Sequence, residues 1–190
     1  IAFRGRGIAI VPQKHKDETW IVNISADIEN HSITQKGEGE AIEVEHRLFY
    51  ENTEIGTCSS VIDTVPFEIV HDRNTITVID PTLWSPDTPA LYTLESTLRI
   101  NGQLYDTERT DVGFRTLHFD SDKGFFLNGS PVKLRGTCNH QDHAGVGVAV
   151  PDELWRWRIE KLKQMGCNAY RCAHNPPSPE FLDECDKQGI

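Results

Sequence analysis

The sequence of 190 residues predicts a mainly β protein, in which a β-sandwich precedes the first part of a parallel α/β domain. Apolar and polar residues alternate through much of residues 1–118, which is the period of strands with one buried face. From residue 119 onward, short apolar strands alternate with segments of helical period. A hydrophobic content of 37% and a charged content of 25% are typical of a folded chain.

The alternation within residues 1–118 is clearest in four runs, at residues 19–30, 41–50, 74–80 and 91–100. Turn signals separate the runs at residues 36–39, 52–56, 71–74 and 101–102. The last of these, Asn101-Gly102, is the strongest short-range signal of a hairpin. About seven strands in roughly 110 residues are typical of an immunoglobulin-like β-sandwich. The Cys…Trp…Cys spacing of antibody domains is absent, so this expectation concerns the architecture alone.

The second part of the chain predicts two consecutive βα units. Residues 132–140 and 168–174 are strand-like, and residues 152–165 carry a helical stripe of Trp155, Ile159, Leu162 and Met165 that ends before Gly166. A second helix is expected after Ser178-Pro179, a cap followed by proline at the first helical position, and it should stop at Gly189. The order β-α-β-α implies parallel strands joined by right-handed crossovers. Two units are too few for a stable α/β fold, so we expect the chain to stop within a domain.

Polar side chains concentrate at the ends of the two late strands, in residues 138–143 and 171–175. Loops at the carboxyl ends of parallel strands build the ligand site in α/β folds, so we expect His140 and His174 to lie near one another. A structural role for each histidine is the alternative. A metal ion held by His140 and His143 with a neighbouring Asp or Cys is a weaker hypothesis, because HxxH in a loop is not the zinc-protease spacing. Nucleophilic catalysis by Cys138 or Cys172 is weaker still.

Charge and composition argue against several classes of partner. A formal net charge of −10 disfavours nucleic acid, which requires a basic face. No apolar run of about 18 residues occurs, so no membrane span or membrane partner is expected. The chain begins without Met and without a signal-peptide pattern, so we expect it to be a piece of a longer protein. The five cysteines contain no CxxC pair and are expected to be reduced.

Several spaced motifs in the right order resemble glycoside hydrolase family 2, and within it the β-galactosidases. They are Leu83-Trp84-Ser85-Pro86-Asp87-Thr88-Pro89, Val112-Gly113-Phe114-Arg115, Phe126-Leu127-Asn128-Gly129, Val132-Lys133-Leu134-Arg135-Gly136 and Asn168-Ala169-Tyr170-Arg171-Cys172-Ala173-His174. The resemblance covers nearly the whole chain. It implies an immunoglobulin-like domain over residues 1–118, followed over residues 119–190 by the first two βα units of a truncated (β/α)8 TIM barrel.

The resemblance also implies a role for each polar residue at the strand ends. His140 and His174 look like substrate-contacting residues, and Arg171, Asp142 and Asn175 look like substrate-binding residues around them. Family members retain anomeric configuration with two carboxyl groups about 5–5.5 Å apart. Both catalytic glutamates are implied to lie beyond Ile190, so the chain contributes no catalytic residue and should be inactive alone.

The same resemblance leaves the exact substrate open. The leading hypothesis is a retaining enzyme acting on terminal β-D-galactosides or oligosaccharides; a β-glucuronidase, a β-mannosidase and a non-catalytic carbohydrate-binding module are the alternatives. The departures Cys138-Asn139-His140-Gln141 and Ala173-His174-Asn175-Pro176 bear on this choice. No cofactor is expected in this part, while a divalent cation stays open for the full enzyme. An incomplete barrel leaves unpaired edges, so we expect this piece to pack against the sandwich, to be partly disordered or to self-associate. The compartment is open between the bacterial cytoplasm and the periplasm.

Overall fold

The computed structural model describes residues 1–31 and 39–190, so the turn predicted at residues 36–39 lies almost wholly outside the described residues. The chain divides into two compact units. The first unit combines Ile1–Pro81 with Tyr92–Val112, and the second combines Thr82–Leu91 with Gly113–Ile190. The segment Thr82–Leu91, which separates the two stretches of the first unit in the sequence, therefore belongs to the second unit.

In its described residues, the first unit is built from seven strands. They are β1 (Ala2–Lys14), β2 (Thr19–Glu29), β3 (Glu40–Tyr50), β4 (Thr53–Thr64), β5 (Ile69–Ile79), β6 (Tyr92–Ile100) and β7 (Gln103–Val112). One sheet has the order β1-β2-β5 and the other β4-β3-β6-β7, and every pairing is antiparallel. The predicted hairpin is present, because Asn101 and Gly102 both adopt positive φ between β6 and β7.

Alternating side chains of both sheets form the core of the first unit. Along β2 and β3 every second residue is buried, which confirms the period-two pattern of these runs. One core cluster joins Phe3, Ala26, Ile28, Ile42, Val44, Val70, Leu98 and Ile100. Because these side chains come from strands of both sheets, the cluster accounts for the sandwich architecture.

The turn predicted at residues 71–74 is wrong, because these residues lie inside β5. The reason is a polar network within the core. His46 on β3 is fully buried, its Nε2 donates to Asp72 Oδ2 at 2.9 Å, and its Nδ1 lies 2.7 Å from Ser96 Oγ. Asp72 also accepts hydrogen bonds from Ser60 and Asn74. Asp72 is therefore an inward-facing partner in this network rather than a turn former, while His71 and Arg73 face outward.

The second unit begins with a small antiparallel sheet that the sequence patterns did not predict. It consists of β8 (Leu117–Asp120), β9 (Gly124–Leu127) and β10 (Ser130–Pro131), in the order β10-β9-β8. The βαβα order then follows as predicted, with β11 (Gly136–His140), α1 (Asp152–Gln164), β12 (Ala169–Ala173) and α2 (Pro179–Gln188). The predicted strand at residues 132–140 starts only at Gly136. β11 and β12 are parallel and in register from Gly136 opposite Ala169 to His140 opposite Ala173.

The two helices cover one face of this parallel pair. Trp155, Ile159, Phe181 and Cys185 form the buried cluster, with Tyr170 and Cys172 of β12 packed against it. The apolar stripe of α1 is shorter than its pattern suggests, because Met165 is 72% exposed. Gly166 and Gly189 both adopt positive φ at the helix ends, and Ser178 Oγ accepts from Phe181 N at 3.3 Å at the start of α2. Neither helix is long and apolar enough to cross a membrane.

The loop Thr82–Leu91 is anchored within the second unit by Trp84. This side chain is 4% exposed, and its Nε1 donates to Asp186 O at 2.7 Å. Its backbone nitrogen donates to Phe114 O and its carbonyl accepts from Asn128 Nδ2. Arg115 stacks over the indole, with the guanidinium carbon 4.5 Å from the ring centroid. Trp84 is therefore a structural residue of this unit.

Candidate functional site

Two imidazoles meet at the carboxyl edge of the parallel pair. β11 ends at His140, directly opposite Ala173, and His174 is the next residue along the chain. The two ring centroids lie 5.8 Å apart with the planes at 88°, and both side chains are exposed. Parallel strands in register end at the same edge, so the structure brings these histidines together as their positions predicted.

Arg171 lies on the same strand face as this pair of rings. It is opposite Cys138 in the register of β11 and β12, and its Nη1 donates to Cys138 Sγ at 2.9 Å. Since side chains alternate along a strand, Cys138 and His140 share the face turned away from the helices. The exposed guanidinium therefore adds a permanent positive charge beside the two histidines.

The loop after β11 carries Asp142, which is exposed at the same edge. Its backbone carbonyl accepts a hydrogen bond from Arg158 Nη1 at 3.0 Å, and the carbonyl of His140 accepts from Nη2 of the same arginine at 3.2 Å. Beyond Asp142 the loop closes on itself, because His143 N donates to Gly147 O at 2.9 Å. The loop thus has a defined conformation next to the imidazoles.

Asn175 follows His174 and is exposed at the mouth of a small cavity between the parallel strands and α2. The cavity has a volume of about 20 Å³, enough for one water molecule, and is lined mainly by apolar side chains. Gln141, from the loop after β11, contributes a buried Oε1 without a hydrogen-bond partner in the structure. The cavity is far too small for a sugar.

The alternative chemistries find less support in the geometry. In residues 1–31 and 39–190, no three His, Cys, Asp or Glu side chains are grouped to hold a metal ion. Burial raises the pKa of the Cys172 thiol, which reduces its thiolate fraction. Cys172 also packs against the helices rather than toward the histidines. This placement separates it from the open face of the site.

One residue of the site could not be found in the sequence. Arg158 lies on α1, where a charged residue at a helical position usually marks a solvated face. Its guanidinium donates hydrogen bonds to the backbone carbonyls of two residues that lie 16 and 18 positions earlier in the sequence. No local pattern marks a side chain that acts on distant backbone groups, so only the folded structure reveals it.

A β-sandwich followed by parallel βα units is the architecture with which the comparison with known families agrees. Residues 6–115 match the model of glycosyl hydrolases family 2, and residues 120–190 match the model of its TIM barrel domain. The chain belongs to glycosyl hydrolases family 2. The second match confirms that β11, α1, β12 and α2 begin a TIM barrel.

Relatives within the family carry two different activities in their names. The β-galactosidase BoGH2A of Bacteroides ovatus is 40% identical over 153 residues, which is 73% of this chain and 18% of that protein. A putative β-glucuronidase of Formosa agariphila is 41% identical over 110 residues, 58% of this chain and 11% of that protein. The crystal structure of Bacteroides uniformis β-glucuronidase matches with a TM-score of 0.91 at 33% identity, covering all of this chain and 23% of that one. The chain thus spans less than a quarter of each of these proteins.

Proposed function

We propose that the whole protein is a retaining glycosidase that hydrolyses terminal β-D-galactosides. The observation that carries this proposal is the meeting of His140 and His174 on the open carboxyl edge of two parallel barrel strands. Active sites of TIM barrels lie at this end of the strands. The relative that is 40% identical over most of the chain is named a β-galactosidase, which favours galactosides over other sugars.

Each residue of the site has a distinct role in the proposal. His140 and His174 hydrogen-bond hydroxyl groups of the sugar next to the cleaved bond. Arg171 supplies positive charge beside them, and Asp142 and Asn175 line the rim where further hydroxyls approach. None of these groups is the acid or the nucleophile.

Retention requires two carboxyl groups about 5–5.5 Å apart, one protonating the leaving oxygen and the other forming the glycosyl-enzyme intermediate. We place both outside these 190 residues. We therefore expect the chain alone to be inactive.

Substitution of the two histidines tests this assignment in the whole protein. H140A and H174A should each lower kcat/KM for a chromogenic β-galactoside about 10- to 100-fold, because each removes one or two hydrogen bonds to the substrate. His118→Ala is the matched control, since His118 is an exposed histidine of β8 whose ring contacts Phe126. Unchanged kinetics in both variants would remove the histidines from the site.

A second candidate function is β-glucuronidase activity. The glucuronidase names among relatives of 41% and structures of 33% identity favour it, and so does the exposed Arg171, because a guanidinium pairs well with the carboxylate of a uronic acid. Comparing kcat/KM for matched chromogenic galactoside, glucuronide and mannoside substrates decides among β-galactosidase, β-glucuronidase and β-mannosidase activity. A preference for the glucuronide that R171Q abolishes would establish the second candidate.

A non-catalytic carbohydrate-binding protein is the remaining alternative. It predicts that the whole protein binds a galactoside in a calorimetric titration and releases no product from any of the three substrates. Turnover of one of them, in a preparation whose H140A variant has lost most of that turnover, excludes this alternative.

A further inference from the structure

Arg158 joins helix α1 to the loop that carries two of the proposed substrate contacts. We propose that Arg158 is the positioning residue of this site: its guanidinium fixes the backbone of His140 and Asp142, and thereby holds the His140 ring against His174. The expected effect of Arg158 on catalysis rests on the proposed function. Its expected effect on the two rings rests on the geometry alone.

The hydrogen-bond geometry supports this role. Nη2 donates to His140 O at 3.2 Å and Nη1 to Asp142 O at 3.0 Å, so one planar group spans two carbonyls that are two residues apart. Guanidinium is rigid and presents parallel donors, which fixes the separation and orientation of the two acceptors. A lysine ammonium is a single point charge on a flexible stem and cannot define both carbonyls in this way.

Arg158 is itself held in place by the helix. Its guanidinium carbon lies 4.9 Å from the centroid of the Trp155 ring, and Trp155 is only 6% exposed within the cluster that joins the helices to the strands. The stacking restricts the side chain without using its outer donors. The Nη1 and Nη2 groups that donate to the loop are therefore held in a fixed position.

A second contact fixes the loop beside Arg158. The His143 ring meets the Trp157 ring edge-on, with centroids 6.3 Å apart, and Trp157 directly precedes Arg158 in α1. His143 is also the residue whose backbone closes the loop on Gly147. The helix thus contacts the loop both at its start and at its turn, which leaves the His140 ring little freedom to move away from His174.

When Arg158 is replaced, we expect the His140 and His174 rings to lose their contact while the stability of the protein changes little. The carbonyls of His140 and Asp142 lie in an exposed region, so water can satisfy them once the guanidinium is gone. Water does not restore the orientation of the His140 ring. A purely structural arginine would instead lower the thermal midpoint and leave substrate binding in the surviving folded protein unchanged.

The experiment compares R158Q, R158K and the wild type by two measurements. The first is the nuclear Overhauser contact between the His140 and His174 rings in the histidine-labelled whole protein. The second is kcat and KM of the whole protein on the substrate that the wild type cleaves best. Arg156→Gln is the matched control, because Arg156 lies two residues away on α1 and pairs with Glu184 rather than with the loop.

We expect R158Q to lose the ring contact and to lower kcat/KM roughly 10- to 100-fold, as displaced substrate contacts do. R158K should recover a small part of both, and R156Q should match the wild type in both. A ring contact that persists in R158Q overturns the proposal. If the ring contact is lost while kcat/KM stays at the wild-type value, Arg158 positions the rings but has no effect on catalysis, which overturns its link to the site. A wild type that cleaves no glycoside overturns the proposed function, and the ring measurement then still decides the positioning role.

Discussion

Replacing Asp72 by alanine should destabilise the sandwich more than an exposed aspartate substitution does. Asp72 is 2% exposed and accepts hydrogen bonds from His46, Ser60 and Asn74. Removing the carboxylate leaves the Nε2 of the fully buried His46 without a partner and without access to water. Leaving a buried donor unsatisfied costs about 1–3 kcal/mol, so the loss of a carboxylate that accepts from three side chains should cost about 3 kcal/mol or more, a large part of the total stability of a typical domain.

The cost should depend on pH. Burial alone would raise the pKa of Asp72, but the hydrogen bonds from His46, Ser60 and Asn74 outweigh it and hold this pKa below its ordinary value. The ionised carboxylate therefore stabilises the folded state fully above the unfolded pKa of about 3.9. This stabilisation is lost as the pH falls through the lower folded value. The stability difference between wild type and D72A should accordingly narrow below about pH 4.

Urea denaturation followed by circular dichroism measures both effects, with D27A as the matched control. Asp27 also pairs with a histidine across two strands, His71 at 2.7 Å, but both side chains are exposed. An exposed pair contributes about 0–1 kcal/mol, so D27A should stay within that range of the wild type at pH 7. The reasoning is refuted if D72A costs no more than D27A, or if its cost is the same at pH 7 and pH 3.

Three further substitutions test local features, each by urea denaturation. S178A removes the oxygen that accepts from Phe181 N and should cost about 1 kcal/mol; an unchanged midpoint would show that the cap is dispensable. N128A leaves Thr116 N and Trp84 O without their amide partner and should cost about 1–3 kcal/mol, whereas a loss below 0.5 kcal/mol would argue that water replaces it. G136A places a methyl against the Ala169 carbonyl and should cost about 1–3 kcal/mol with faster hydrogen exchange in β11, while G5A, whose methyl meets open space, should be neutral.

Much of the fold could be predicted because its signals are local. Residues 19–30 and 41–50 alternate since each strand buries one face, and that period is visible without knowing which strand lies beside it. Asn101-Gly102 and the limits of α2 were likewise predictable, because positive φ and helix capping depend on a few adjacent residues. The meeting of His140 and His174 followed from the parallel order of their strands.

Other features escaped because their cause lies far away in the sequence. Residues 71–74 look like a turn, and the burial of Asp72 against His46, 26 residues earlier, is visible only in the folded strand. The strands β8, β9 and β10 are too short to show a period. Met165 continues the helical stripe in the sequence, but it is the capping residue that follows α1 and it is exposed.

The sequence by itself determined the class of the fold, the order of its strands and helices, and the two strand ends at which polar groups gather. These depend on periodicity and capping, which act over a few neighbouring residues. Only the tertiary structure decided which polar residues are buried partners and which backbone groups Arg158 contacts. Asp72 and Arg158 act on groups many residues away, and the free energy of such contacts exists only once folding has brought the groups together and excluded or admitted water between them.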